Sequence, residues 1–315
     1  MDSTARSIYV SPEGNVYAAG YFQRDYFTYV NMACYWENGI FKTLDLEGVR
    51  GSSTANAVTT SGGDVYVAGS VIYETSNDSP MIACYWKNGT LIPLDHTGIT
   101  SIHCVATAIA VDNGDVYVTG HYVTNEEYFS YYGWDLSDLV SCYWKNGVRY
   151  ELEGKDLTGI SNSWFFATAV LNGNMYIAGD YLDDVLVRRQ ACIWENGARK
   201  DLTVPAETRD SLASVVGLYN GKVYAAGFYG VYIDGNLRSI PCYWVDGERF
   251  DMEAVGDANI RALTVYNGMV FVAGYYYQGA RCGPCYWVNG ERRLFAVSGD
   301  RCQINDSYIV VKSSE

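Results

Sequence analysis

Two apolar phrases alternate along the chain, each bounded by a turn. One leaves a glycine turn for a run of small and β-branched residues: "GNVYAAG" (14–20), "GDVYVAG" (63–69), "GDVYVTG" (114–120), "GNMYIAG" (173–179), "GKVYAAG" (221–227) and "GMVFVAG" (268–274). The other sets Cys, a bulky apolar residue and Trp before Asn-Gly or Asp-Gly: "ACYWENG" (33–39), "ACYWKNG" (83–89), "SCYWKNG" (141–147), "ACIWENG" (191–197), "PCYWVDG" (241–247) and "PCYWVNG" (284–290). Asn-Gly between apolar runs predicts a β-hairpin, because both central residues of a type I′ turn need positive φ.

Each unit reads as four strands. A small-apolar stretch such as "ATAIAV" (106–111) comes first, then the Val-Tyr-Val-Ala-Gly phrase, then Cys-Tyr-Trp. The fourth strand ends near Leu44, Leu94, Leu152, Leu202, Met252 or Phe295. The repeated tryptophans, Trp36, Trp86, Trp144, Trp194, Trp244 and Trp287, follow one another at 50, 58, 50, 50 and 43 residues. That period, with several short strands per unit, is the signature of propeller blades. The predicted fold is all-β, a six-bladed β-propeller with four antiparallel strands per blade, in one domain spanning 1–315. Blades are expected near 5–48, 49–98, 99–156, 157–205, 206–254 and 255–300, with 301–315 as a closing strand.

Side chains alternate along a strand, so Cys84 and Trp86 share one face and Tyr85 takes the other. A strand bulky on both faces must be covered on both, which stacked blades provide. The six tryptophans are therefore read as filler between blades rather than as ligand sockets.

Composition excludes some functions. The chain is 49% hydrophobic and 18% charged, too apolar to be disordered. Its net charge of −14 repels nucleic acid and anionic membranes. No apolar run reaches membrane-spanning length, and "MDSTARSIYV" lacks the layout of a signal peptide. A folded monomer without membrane insertion is expected.

Six of the nine cysteines, Cys34, Cys84, Cys142, Cys192, Cys242 and Cys285, hold equivalent blade positions. Packed sheets stand ~10 Å apart, beyond disulfide reach, so these are expected to be buried free thiols, which favours a reducing compartment. "RCGPCYW" (281–287) carries a Cys-Gly-Pro-Cys sequence. Without a helix N-terminus to lower the thiol pKa it is read as a disulfide or a chance pairing, not a redox centre.

Only three histidines occur, in no metal-binding or hydrolase spacing. His121 follows a second strand, where other blades have Tyr21, Ser70, Asp180, Phe228 and Tyr275. His121 with Asp180 is the best available acid–base or metal pair at the channel mouth, against the plainer expectation of a solvated loop histidine. "DYLDD" (180–184) and "YIDGN" (232–236) lack the ligand spacing of a calcium loop and read as solvated acids. The recurring glycines are assigned to turns. No cofactor or metal is expected.

The order Ser-x-Ala-x-x-Ile, Gly-x-Val-x-x-Gly, Ala-x-x-Trp-x-Asn-Gly-x-x-x-x-Leu, seen from Ser101 to Leu152 and elsewhere, resembles the HAF-type repeat of bacterial propeller-like proteins, and more distantly kelch repeats. The resemblance covers nearly the whole chain. It implies a propeller, an often extracellular setting at odds with the free thiols, and no catalytic residues.

Strand parity puts the tight turns on one face of the disc. The second-to-third loops (21–32, 70–82, 121–140, 180–190, 228–240, 275–283) and the inter-blade connections lie on the other, and loops on a rigid scaffold are where binding resides. Segment 121–140 is longer than its counterparts, and Trp134 and Trp164 are the two tryptophans outside the repeats. The expected site is an aromatic platform of Trp134, Trp164, Tyr131, Tyr132 and Phe165 rimmed by Glu126, Glu127 and Asp135, with His121 and Asp180 at the mouth. Such a patch suits a protein or carbohydrate ligand, unless the insertion folds over and buries its own aromatics as a cap. Two functions stand: a non-catalytic binding or scaffold propeller, and a propeller hydrolase or lyase using carboxylates and His121.

Overall fold

The computed structural model describes residues 3–23, 30–74, 80–99, 103–123, 139–153, 167–183, 188–254, 256–278 and 281–295. They form an all-β chain of six four-stranded antiparallel sheets, the blades of a β-propeller. In every sheet the strands lie in chain order, as successive hairpins dictate. The chain divides into two compact units, 1–166 and 167–315. No helix among the described residues is long and apolar enough to cross a membrane.

The first unit holds three sheets. The first comprises β1 (Ser3–Val10), β2 (Val16–Gln23), β3 (Asn31–Glu37) and β4 (Ile40–Thr43). The second comprises β5 (Ser53–Ser61), β6 (Asp64–Ile72), β7 (Met81–Lys87) and β8 (Thr90–Pro93). The third comprises β9 (Cys104–Asp112), β10 (Asp115–Val123), β11 (Leu139–Lys145) and β12 (Val148–Glu151). One core cluster centres on Val67, Cys84 and Trp86, and another on Ala106, Val118 and Trp144.

The second unit repeats the plan. Its sheets are β13 (Thr168–Leu171), β14 (Asn174–Asp183), β15 (Arg188–Glu195) and β16 (Ala198–Asp201); then β17 (Ser211–Tyr219), β18 (Lys222–Ile233), β19 (Asn236–Val245) and β20 (Glu248–Asp251). The last is β21 (Asp257–Tyr266), β22 (Met269–Gln278), β23 (Arg281–Val288) and β24 (Glu291–Leu294). Segments 228–240 and 275–283 are therefore not irregular loops. Strands β18 and β19 run on to a two-residue turn at Asp234 and Gly235, both at positive φ, and β22 pairs with β23 out to Gln278 and Arg281.

The two sequence phrases alternate because their turns are bonded to each other. Asn88 of the Asn-Gly turn accepts from the Val65 N–H through Oδ1 at 2.9 Å and donates from Nδ2 to Asp64 at 2.7 Å. Asn146 does the same with Val116 and Asp115. Positive φ at both Asn88 and Gly89 gives the turn the twist of a type I′ hairpin.

The tryptophans do more than fill space. Trp86, Trp144 and Trp244 donate from Nε1 to the backbone carbonyls of Asp45, Asp95 and Thr203 in the preceding blade, at 2.8, 2.8 and 2.7 Å. Those residues in turn donate their own N–H to Gly89, Gly147 and Gly247 in the following blade's hairpin turn. Each such pair of bonds ties the exit of one blade to the next. Five of the six tryptophans are almost completely buried; Trp36, in the first sheet, is half-buried against Phe41.

The glycine that closes the second-strand phrase is not a turn glycine in five of the sheets. Gly20, Gly69, Gly120, Gly227 and Gly274 lie inside strands, opposite Ala5, Ala55, Ala106, Ala213 and Ile260 of the first strands. There the first strand bulges, and its carbonyl comes within 1.9–2.0 Å of where a Cβ would stand. Any other residue would collide with backbone, which is why the Ala-Gly phrase, or Thr-Gly at 119–120, recurs.

Candidate functional site

Each of the five described bulges inserts one extra residue into a first strand, an arginine in the first and last sheets and a neutral polar residue in the other three. In the first unit the register skips Arg6, Asn56 and Thr107. In the second it skips Ser214 and Arg261. The bulge thus puts a polar side chain on the first strand of five sheets that are otherwise lined by Ala, Val and Ile. Asn56 and Thr107 are buried and committed: Asn56 donates to the Ala106 carbonyl at 2.8 Å, and Thr107 to the Thr119 carbonyl at 3.1 Å.

The two arginines are held more loosely. Arg6 lies over the ring of Tyr21, 5.3 Å from its centroid, and reaches Asn56 Oδ1 only at 3.5 Å. Arg261 repeats this arrangement, lying 5.7 Å from the Tyr275 centroid and donating to the Tyr275 hydroxyl at 3.2 Å. The Tyr21 phenol is lowered, first by its hydrogen bond with Thr4 and then by Arg6. Tyr21 and Tyr275 hold the blade positions equivalent to His121 and Asp180, so in the first and last sheets the bulge residue meets the residue at that position. A glycine in mid-strand was the sequence signal for these bulges.

His121 is not a solvated loop residue. It belongs to β10, faces Ser141 across the β10–β11 pair and is buried. Burial, with the neighbouring His103 charge, lowers its pKa to about 4, so the ring is neutral at physiological pH. Ser141 is also buried, and its Oγ has no hydrogen-bond partner. A serine beside a histidine is the material of nucleophilic catalysis, but here both are closed to solvent.

Asp180 is likewise a strand residue, in β14, rather than a solvated acid. Its Oδ2 lies 3.1 Å from Arg189 Nη1, and Asp210 accepts from the Arg189 backbone N–H at 3.1 Å. Burial outweighs the guanidinium and, helped by Asp210, pushes the carboxyl up to about 7. His121 lies in the first unit and Asp180 in the second, each with its own neighbours. Among the described residues no group of three His, Cys, Asp or Glu side chains is placed to hold a metal ion. Trp134, Trp164, Tyr131, Tyr132, Phe165, Glu126, Glu127 and Asp135 lie outside the described residues.

The Cys-Gly-Pro-Cys sequence lies in β23, where regular pairing puts Cys282 and Cys285 on opposite faces, and no disulfide joins them. The expected disulfide is excluded by strand parity. All six repeat cysteines are buried free thiols, each facing the second-strand glycine of its sheet.

A cavity of about 380 Å³ opens in the second unit, lined by Tyr224, Tyr243 and Phe250 with Lys222, Asp246 and Glu248 among its polar groups. Tyr243 and Phe250 stack at 5.1 Å, but Tyr143 and Tyr150 do the same in another blade. This pair therefore belongs to the repeat.

No family model matches the chain, and no curated protein matches it in sequence. Solved structures do match in fold. The acylaminoacyl peptidase of Pyrococcus horikoshii is 11% identical with a TM-score of 0.51, the match covering 94% of this chain and 46% of that one. A prolyl endopeptidase chain is 12% identical with a TM-score of 0.53, over 93% of this chain and 42% of that one. The β-propeller domain of the Trilobed protease from Pyrococcus furiosus is 12% identical with a TM-score of 0.48, over 94% and 82%. The chain spans less than half the length of the first two. At these identities the likeness is one of fold.

Proposed function

We propose that this chain is a propeller that works by recognition, binding a protein or carbohydrate ligand through the face that carries its second-to-third connections. The observation that carries this reading is one repeated address with unlike occupants. Tyr21, Ser70, His121, Asp180, Phe228 and Tyr275 differ in every blade except the first and last, and the five described bulge residues are Arg, Asn, Thr, Ser and Arg in chain order. The surrounding scaffold repeats its tryptophans, glycines and turn asparagines. Four of these six residues, Ser70, His121, Asp180 and Tyr275, are buried, so what varies is the packing that supports the connections on that face, and loops on a rigid scaffold suit selective binding. The expected aromatic platform of Trp134 and Trp164 belongs to the same face by strand parity. The chain is further read as a single propeller over 1–315 whose repeats are akin to the HAF type.

The experiment is a glycan and protein array probed with the wild type, Trp134→Ala and Trp164→Ala. Loss of about tenfold or more in affinity with unchanged melting supports the platform. Binding unchanged with melting sharply lowered would make the insertion a cap.

A second reading, a propeller hydrolase or lyase, is supported by the peptidase identity of the fold neighbours and by Asp180, a carboxyl raised towards neutrality as an acid catalyst requires. Burial of His121, Ser141 and Asp180 alike weighs against this reading, since a catalytic group must meet its substrate. A panel of chromogenic peptides and glycosides tests it: turnover abolished by Asp180→Asn would favour the enzyme, and no turnover by the wild type would end that reading.

A further inference from the structure

Resting on the recognition reading, we propose that the bulge arginines Arg6 and Arg261, each laid over the tyrosine of its own blade, receive the carboxylate of an acidic ligand. The chain carries 36 acidic and 22 basic residues, yet among the described residues neither arginine has a carboxylate within ion-pair distance. Arg199 and Arg249, on outer strands, are paired with Asp201 and Asp251 at 3.3 and 2.8 Å. A guanidinium has five N–H donors in a planar fork matched to a carboxylate. Arg6 engages Asn56 at 3.5 Å and the Tyr21 hydroxyl, and Arg261 engages the Tyr275 hydroxyl, so each fork keeps donors to spare. The Arg261 Nε is buried without a hydrogen-bond partner among the described residues.

The tyrosine gives each arginine a fixed bed. Stacking on the ring costs the guanidinium none of its N–H groups and restricts its rotamers, so the fork is held ready for an incoming oxyanion. Tyr275 is itself buried and braced edge-on by Tyr277 at 5.3 Å. The same Arg–Tyr device occurs in the first blade and the last, where the other described bulges carry Asn, Thr and Ser. Asn56 and Thr107 are spent on backbone carbonyls; the charged bulge residues keep their capacity. Both arginines remain partly exposed.

The test is titration calorimetry of the full chain with glucuronate and with N-acetylglycine, which separate a sugar from a peptide source of the carboxylate. Glucose and N-acetylglycinamide serve as the uncharged counterparts. The expected result is salt-sensitive binding of at least one acid and of neither neutral compound. Arg6→Gln and Arg261→Gln should each weaken it by about tenfold or more, the loss of a charge-assisted hydrogen bond, at one of the two stations. Arg6→Lys and Arg261→Lys, keeping charge without the fork, should lose part of it. Melting curves of the four variants identify any that fail to fold, and the lysine forms then stand in for the glutamine forms. No binding of either acid, or equal binding by the glutamine variants, would overturn the proposal. An array ligand bound equally well by wild type and by the Arg6→Gln, Arg261→Gln double variant would leave recognition standing and overturn the arginine stations alone.

Discussion

The indole Nε1 of Trp86 donates to the backbone carbonyl of Asp45 at 2.8 Å, from the second blade to the exit of the first. The side chain of Asp45 plays no part in this bond; it accepts from the Glu47 N–H instead. Trp86→Phe should therefore cost about 2 kcal/mol or more, from a lost hydrogen bond, a stranded carbonyl and a partial cavity. Asp45→Ala should cost about 1 kcal/mol or less, since it removes one exposed side-chain bond. Urea unfolding of both variants measures the difference, and equal losses would mean that the tryptophan acts only as filler.

Gly120 and Gly114 stand six residues apart in one phrase and should answer alanine differently. A Cβ at Gly120 would lie 2.0 Å from the Val105 carbonyl oxygen and 3.0 Å from both the Ala106 Cα and the Trp144 ring. At Gly114 nothing lies within 4 Å and the cost is that of φ +85° alone. Gly114→Ala should lose about 1–2 kcal/mol. Gly120→Ala should lose about 4 kcal/mol or fail to fold, because the bulge would have to move.

The thiols are expected to be unreactive in the folded protein. Burial pushes Cys34 and Cys285 up to about 12 and Cys104 to about 11, and raises Cys84, Cys142, Cys192 and Cys242 further from the thiolate. The thiolate is the species that reacts. Among the described cysteines Cys282, half-buried, should label first with an aromatic disulfide reagent, and the others only after denaturation. Rapid native labelling of several would contradict their burial.

Two buried groups make stability depend on pH in opposite directions. Asp180 holds its proton up to about pH 7 when folded, but only to the ordinary carboxylate range when unfolded. The folded state therefore carries the extra proton between roughly pH 4 and 7, and this contribution to stability falls as pH rises through that window. His121 titrates at about 4 when folded and in its ordinary range when unfolded, so its contribution falls as pH drops from roughly 6.5 to 4. Asp180→Asn should gain stability relative to the wild type between pH 5 and 7, and His121→Gln should flatten the acid side. Denaturation midpoints across that range check both; parallel wild-type and variant curves would show that the groups do not titrate there.

Strands, turns and blade number were legible in the sequence because their causes are local. Period-two alternation and Asn-Gly turns, whose residues need positive φ, act within a few residues of each other. Repetition of those signals six times leaves few folds to choose from. The free state of the repeat thiols followed too, since sheet spacing alone separates equivalent cysteines.

Only the tertiary structure decided what the bulges do. Nothing local marks Arg6, Asn56 or Arg261 as the extra residue of a first strand; that depends on the register of a neighbouring strand and on a glycine with room to receive a carbonyl. The same holds for His121 and Asp180. Their positions in the chain were plain, but whether they meet water or a packed neighbour depends on the strands and connections laid against them. Burial then sets their charge, because removing an ionised group from water costs more than Arg189 restores to Asp180, and His121 stays neutral for the same reason.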